Sequence, residues 1–330
     1  MAEGRRDRLM RVLLTDPIDP AGVDLLRRHA EVAQCAEASP ATIRREAALA
    51  DAAIIRSKLP EDVFEAAPRL RAVTIHGTGT DLVPLESATA KGVLVASLPG
   101  GNAQSVAEYC AMAMLMLARN IAPIMAAVRG RPWNAARELG AEARELAGLT
   151  LGIVGVGEIG TRLAGICRHG FGMRVLGTQR RLNRLPPEAE PVALDRLLVD
   201  SDFIVLACPL TPLTRHLFNR DRFGRMKRSA WLVNVGRGPV VDEEALIEAL
   251  RTGRIAGAML DVYEHYRLEP GHPLLALENA LLTPHLAGTT RESRARVSVL
   301  AAEDTLRMLA GERPRHLVNP EAWEAFTMRR

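Results

Sequence analysis

Aromatic residues are scarce, at 4% of the 330 residues. So few rings offer no stacking platform for bases. The basic residues are scattered and the net charge is only +4, so no nucleic-acid groove is expected. Cysteine is sparse as well: Cys35, Cys110, Cys167 and Cys208 lie far apart, with no CxxC pair and no metal-ligand spacing. That argues against a disulfide scaffold and a cysteine metal site, and the chain is read as a cytoplasmic protein with reduced thiols and no metal. No apolar run approaches the ~18 residues of a membrane span. The charged start, MAEGRRDRLM, runs straight into RVLL and is too short for the apolar region of a signal peptide. No internal repeat or low-complexity stretch occurs. What is present is ordinary for a globular protein, 48% hydrophobic and 25% charged, and the length suggests about two domains.

Strand and helix signals alternate. Strands are expected at 11–15, 53–55, 72–75 and 92–96, with a helix at 20–29, a pattern that implies a parallel sheet in an α/β domain. A turn, His76-Gly77-Thr78-Gly79, sits at the C-terminal end of one strand, where ligands of open α/β sheets bind. Residues 102–119 read as a helix apolar on nearly every face, hence buried in a core or at a subunit contact. Residues 129–147 read as a polar connecting arm. A second α/β unit follows, with strands at 151–154, 174–178, 203–206, 231–235, 257–262 and 280–282. Its clearest helix spans 242–250, with Asp242 as N-cap. Six strands with crossovers match a doubly wound dinucleotide fold. Residues 291–310 form a helix that stops at Gly311, after which PRHLVNPEAW is irregular and returns to the first domain.

The stretch LGIVGVGEIG carries the strongest single signal: a short strand, then Gly155, Gly157 and Gly160 in a G-x-G-x-x-G turn, then helix formers. The first glycine permits the tight turn, the second lets a pyrophosphate touch bare backbone, and the third lets helix and strand pack closely. The helix N-terminus offers free N–H groups and the positive dipole end to the phosphates. Two further stretches place polar groups at strand ends. Arg237 in NVGRGPVVDEEAL could clamp a carboxylate with its guanidinium fork, and His285 in LLTPHLAGTT could move the proton that accompanies hydride transfer. Singly, each has a plainer reading, a surface ion-pair partner or a loop histidine. Following a dinucleotide turn in one sheet, the two together favour chemistry.

With HGTGTDLV, PGGNAQSVAEY, LGIVGVGEIG, ACPLTPLT, NVGRGPVVDEEAL, GAMLDVYE, HPLL and TPHLAGTT in this order, nearly the whole chain resembles the D-isomer-specific 2-hydroxyacid dehydrogenase family. The resemblance implies two doubly wound parallel-sheet α/β domains. A Rossmann cofactor domain (101–289) would be inserted into a flavodoxin-like substrate or lid domain made from 1–100 and 290–330. It implies a homodimer with the 102–119 helix near the interface. It further implies that Arg237 holds the carboxylate and carbonyl of a 2-oxoacid, that His285 gives or takes the proton, and that the amides of Thr78 and Gly79 cradle the carboxylate. Arg56 would lean over the substrate, and Glu158 and Ile159 would contact the pyrophosphate. Cys208, Pro209 and Val235 would line the adenosine and nicotinamide side, with Asp261 near the carboxamide.

Two positions depart from the family. Its histidine is normally paired with a glutamate, but in DVYEHYRLEPGHPLL an ungapped alignment puts Tyr266 there; Glu269 would serve only if the loop were rearranged. A tyrosine can orient the imidazole but brings no negative charge to favour the imidazolium. After the second strand, where NAD-preferring folds carry an acid for the ribose 2′-OH, the chain has Gln179 followed by Arg180 and Arg181. Two guanidiniums suit a 2′-phosphate, so NADP(H) is favoured, with NAD(H) as the alternative. The expected activity is hydride transfer between nicotinamide and a small 2-oxoacid of the glyoxylate or hydroxypyruvate kind. The alternatives are a formate- or phosphite-type dehydrogenase and a dinucleotide-sensing, corepressor-like binding protein.

Overall fold

A computed structural model describes residues 8–328; the charged start at 1–7, on which the signal-peptide reading rests, lies outside the described residues. The chain divides into two compact units, Met1–Asn102 with Thr289–Arg330, and Ala103–Gly288. In chain order, the first unit opens with β1 (Arg11–Leu14), α1 (Pro20–Arg27), β2 (Glu31–Gln34), α2 (Pro40–Ala47) and β3 (Ala52–Ile55). It continues with α3 (Val63–Ala66), β4 (Ala72–Ile75), α4 (Leu85–Ala90) and β5 (Leu94–Ala96). The second unit contains α5 (Ala103–Ala118), α6 (Ile121–Val128), α7 (Trp133–Glu138), β6 (Thr150–Val154), α8 (Glu158–Gly165), β7 (Arg174–Thr178) and β8 (Glu190–Pro191). It ends with α9 (Leu194–Asp200), β9 (Phe203–Leu206), α10 (Arg220–Arg225), β10 (Trp231–Asn234), α11 (Glu243–Arg251), β11 (Gly257–Leu260) and β12 (Ala280–Leu282). The chain then returns to the first unit as α12 (Arg291–Ala310) and α13 (Trp323–Met328).

Both sheets are parallel throughout, which explains why their strands are near-continuous apolar runs: helices cover both faces. The first has order β2-β1-β3-β4-β5, the flavodoxin-like arrangement. The second has order β12-β11-β10-β9-β6-β7-β8, so the strand order reverses between β6 and β9. Successive residues of β6 illustrate the two-sided core. Ile153 packs with Val205, Val233 and Leu163 on one face, and Val154 with Leu206 and Leu232 on the other. Helix ends follow local chemistry. Asp242 caps α11 by accepting from the Ala245 amide, Thr290 and Ser293 form a capping box on α12, and Gly311 ends that helix at φ 77°.

Several elements differ from expectation. The first sheet has a fifth strand, β2, an edge strand whose sequence EVAQ is half polar and no more than partly buried. The second has a seventh, the two-residue edge strand β8, which contains Pro191; an edge is where a sheet tolerates proline. The polar stretch at 129–147 is not merely an arm, since it includes α7 and follows α6. Asn120 ends α5 in a left-handed conformation (φ 51°), and its side-chain amide donates to the Leu139 carbonyl, folding that stretch back. Helix α5 is buried along most of its length but exposes Met112 and Leu115. Among the described residues no single helix is long and apolar enough to cross a membrane; α5 and α6 would be so only as a pair, and they are bent by 63°.

Candidate active site

The three glycines after β6 do different work. Gly155 has φ +92°, and a Cβ there would meet Cys208 N and Cα at 2.6 Å, so the turn lies backbone to backbone against the residues that follow β9. A Cβ on Gly160 would meet the Gly155 carbonyl at 2.8 Å. Gly157 is the N-cap of α8; it has no side-chain cap and nothing within 4 Å of an added Cβ. That is an open approach to uncapped helix amides, with Glu158 and Ile159 as the first two helical residues, and it suits a dinucleotide pyrophosphate. Cys208 is buried, and burial pushes its thiol up to about 11, so it remains neutral. Pro209 next to it is exposed, and the Val235 amide donates to the Leu206 carbonyl, joining the ends of β9 and β10.

At the end of β7 the Gln179 side chain donates to the Arg181 carbonyl at 3.0 Å. Arg180 and Arg181 are exposed, and among the described residues neither forms an ion pair. The residue that directly follows β7 is thus Gln179, with no carboxylate among Gln179, Arg180 and Arg181.

Arg237 is held by its neighbours. Buried Asn234 accepts from the Gly236 amide and donates to the Arg237 carbonyl, each at 3.1 Å, which fixes the turn leaving β10. The guanidinium donates to the Gly236 carbonyl at 2.9 Å. A Cβ on Gly238 would lie 1.7 Å from the Tyr263 carbonyl, so the same turn is wedged against the segment after β11.

His285 follows β12 with φ +54°, a rare conformation for a non-glycine residue. Asp261, buried at the end of β11, holds it there. The Asp261 carbonyl accepts from the His285 amide at 2.9 Å. One carboxylate oxygen accepts from the Leu286 amide (2.8 Å) and the Thr283 hydroxyl (2.7 Å), the other from the Ala287 amide (2.8 Å). Two phenols complete the network. Tyr109 bonds the Thr283 hydroxyl, and Tyr263 donates to the Thr283 carbonyl at 2.8 Å. Burial raises both phenols, Tyr263 to about 12 with help from the Asp261 charge, so both stay neutral.

Of the two residues offered as partner to His285, the Tyr266 ring lies edge-on to the imidazole, with centroids 6.1 Å apart and planes at 60°. Glu269 is exposed, and its carboxylate makes no hydrogen bond among the described residues. Glu264 turns away, to Arg215 at 3.0 Å and His216 at 3.5 Å.

In the first unit, Thr78 and Gly79 occupy the turn after β4, whose ends are tied by the Thr78 hydroxyl and the Gly77 carbonyl to Leu98. Their amides donate to no other described residue. Arg56, after β3, donates to the Pro17 carbonyl at 3.0 Å. His76 lies 2.8 Å from the Ser298 hydroxyl; burial, then the Arg56 charge, lowers its pKa to about 4. Among the described residues no three His, Cys, Asp or Glu side chains cluster as metal ligands.

Residues that sequence reasoning passed over are Asn234, Gly238, Thr283 and Tyr109. Each lies inside a stretch singled out for another residue, N-V-G-R-G, T-P-H or V-A-E-Y. Their roles depend on contacts that cross the sheet, and spacing along the chain does not show these.

The profile of the family described as D-isomer specific 2-hydroxyacid dehydrogenase, NAD binding domain, matches residues 111–287. A glyoxylate reductase of Aeropyrum pernix is 38% identical, over 94% of this chain and 96% of its own. A glyoxylate/hydroxypyruvate reductase B of Escherichia coli is 36% identical, over 90% and 95%. Among solved structures, an NADPH-dependent glyoxylate/hydroxypyruvate reductase from Sinorhizobium meliloti, in complex with NADP and malonate, superposes with a TM-score of 0.84 at 26% identity, covering 96% of this chain and 98% of that one.

Proposed function

The chain belongs to the D-isomer specific 2-hydroxyacid dehydrogenase family, and from that premise we propose that it reduces small 2-oxoacids of the glyoxylate and hydroxypyruvate type to D-2-hydroxyacids, with NADPH preferred to NADH. The observation that carries this reading is the placement of the glycine turn after β6, Arg237 after β10 and His285 after β12 along the C-terminal edge of one parallel sheet. That edge is where doubly wound folds carry out their chemistry.

A bound nicotinamide dinucleotide supplies the hydride. The chain's own residues do the rest. The uncapped start of α8 and the bare face of Gly157 hold the pyrophosphate. Cys208, Pro209 and Val235 line the dinucleotide. Arg180 and Arg181 pair with a 2′-phosphate, which supports NADPH over NADH. The Arg237 fork grips the carboxylate and polarises the carbonyl of the oxoacid, and His285 gives its proton to the carbonyl oxygen. Hydride and proton together convert C=O to CH–OH. Asp261 keeps His285 in its strained backbone conformation, and the Tyr266 ring orients the imidazole without adding charge. On the first unit, the Thr78 and Gly79 amides offer donors for a carboxylate, with Arg56 near the end of the neighbouring strand. The protein works in the cytoplasm as a homodimer; the exposed apolar side chains Met112, Leu115, Met125, Val128 and Trp133 of α5 to α7 support the latter.

The test is loss of nicotinamide absorbance with NADPH and with NADH against a panel of 2-oxoacids. Turnover is expected, with a lower KM for NADPH. Alanine at Arg180 and Arg181 should raise the KM for NADPH far more than for NADH. No turnover across the panel with either cofactor would overturn the activity, and equal losses for both cofactors would overturn the preference.

A further inference from the structure

The segment that carries Tyr266 is closed at both ends by a single carboxylate. Glu243, the first residue of α11, has a half-buried side chain. Its Oε2 accepts from the Glu264 amide at 3.1 Å, and its Oε1 lies 3.1 Å from His272 Nε2. His272 Nδ1 in turn accepts from the Leu274 amide at 3.3 Å. That bond occupies the Nδ1 lone pair, so in the neutral ring the proton sits on Nε2 and points at Glu243. The latch therefore closes without an imidazolium, and both of its bonds are charge-assisted. The carboxylate also stands in the first turn of α11, where the positive end of the helix dipole favours it.

Around this staple the other contacts hold the start of the segment. Tyr263 is fixed through its hydroxyl to Thr283 and through its carbonyl against Gly238. The Glu264 carboxylate is taken up by Arg215 and His216 of the loop before α10. Tyr266 itself has little to keep it in place: its side chain is largely exposed, and among the described residues no hydrogen bond fixes its hydroxyl. Its position against His285 is set by the anchored ends of its segment.

We propose that Glu243 is a positioning residue for the proton-transfer site, acting through the 264–272 segment to hold Tyr266 against the His285 ring. This rests on the reading of His285 as the proton donor, so one arm of the test does not depend on turnover. In that arm the histidine ring-proton signals of the cofactor-free protein are recorded by NMR, with the His285 signal assigned from His285→Gln. Tyr266→Leu removes the aromatic ring and shifts that signal. Glu243→Ala is expected to shift it in the same direction and by a comparable amount, His272→Ala by part of it, and the Glu243→Ala/Tyr266→Leu double variant no further than Tyr266→Leu alone. A His285 signal unmoved in a folded Glu243→Ala variant would overturn the proposal. If that variant does not fold, Glu243→Gln, which keeps one acceptor, is expected to show a partial shift, and its absence would overturn the proposal equally.

In the second arm, kcat for glyoxylate at saturating cofactor should fall roughly tenfold in Glu243→Ala but change little when the same substitution is made on Tyr266→Leu, the non-additivity of residues that act through one another. Losses that simply add would count against Glu243 acting through Tyr266. If the wild-type protein turns over no oxoacid, the functional reading fails while the NMR arm still decides the positioning role.

Discussion

Replacing Gly157 with alanine separates cofactor binding from folding more cleanly than any other change at the glycine turn. Its backbone, at φ −87° and ψ −151°, is extended and free of the left-handed φ that strains alanine, and an added Cβ meets nothing within 4 Å. The cofactor-free protein should therefore lose at most about 1 kcal/mol, mainly from the weaker N-cap. Gly155→Ala is the contrast. Its left-handed φ of +92° costs an alanine roughly 1–2 kcal/mol. Its Cβ would press on Cys208 backbone atoms at 2.6 Å, which adds roughly 1–3 kcal/mol of overpacking because no flexible side chain can yield. The sum, roughly 2–5 kcal/mol, is a large share of a typical folding stability of about 5–15 kcal/mol. With dinucleotide bound the order changes. On the proposed reading the pyrophosphate approaches Gly157, so a methyl group there carries a similar overpacking cost of about 1–3 kcal/mol and weakens binding roughly 5- to 150-fold. Urea unfolding without cofactor, alongside NADPH titration followed by fluorescence, measures both quantities. Gly157→Ala binding NADPH as tightly as wild type, or Gly155→Ala as stable as wild type, would refute the division of labour.

Two other predictions concern protons. His76 titrates at about 4 when folded, against an ordinary 6.5, because burial and then Arg56 disfavour its charged form. Between these values the unfolded chain binds a proton that the folded chain does not, so stability falls as pH drops from about 6.5 toward 4 and levels off below. By pH 4.5 the loss should approach roughly 2–3 kcal/mol, and urea midpoints for His76→Gln should lack that component; an equal acid loss in the variant would contradict it. Tyr266→Glu places a carboxylate beside His285 and favours the imidazolium, so the alkaline limb of the reductive pH–rate profile should move to higher pH. An unmoved limb would show that residue 266 does not act on the proton donor.

What could be read from the sequence, and what could not, follows one physical line. Strands buried on both faces announce themselves as apolar runs, and β4, β7 and β9 fall where that pattern puts them. Helix ends with local chemistry, such as Asp242 and Gly311, were equally legible. The edge strands β2 and β8 were not, because EVAQ and EP carry too few apolar residues to show a pattern, whereas the edge strands β5 and β12 are apolar and were read. At the site, Gly155, Arg237 and His285 stand out because their chemistry is written in adjacent residues. Asn234, Thr283, Tyr109 and Glu243 do not, since what matters is which atoms each meets across the sheet. Glu264 is the clearest case: from the sequence it is merely an acid two residues from the expected place, whereas the fold has turned it toward Arg215 and His216.

The proposed reduction rests on Arg237 and His285, on the sheet that carries the glycine turn. The most direct measurement is kcat/KM for glyoxylate reduction with NADPH in wild type, Arg237→Ala and His285→Ala, alongside NADPH binding in each. Removal of the proton donor should lower kcat/KM by roughly 10²–10⁴-fold, and loss of the arginine fork should also cost most of the activity, with NADPH binding nearly unchanged in both variants. Turnover retained in either variant while NADPH still binds would contradict the account.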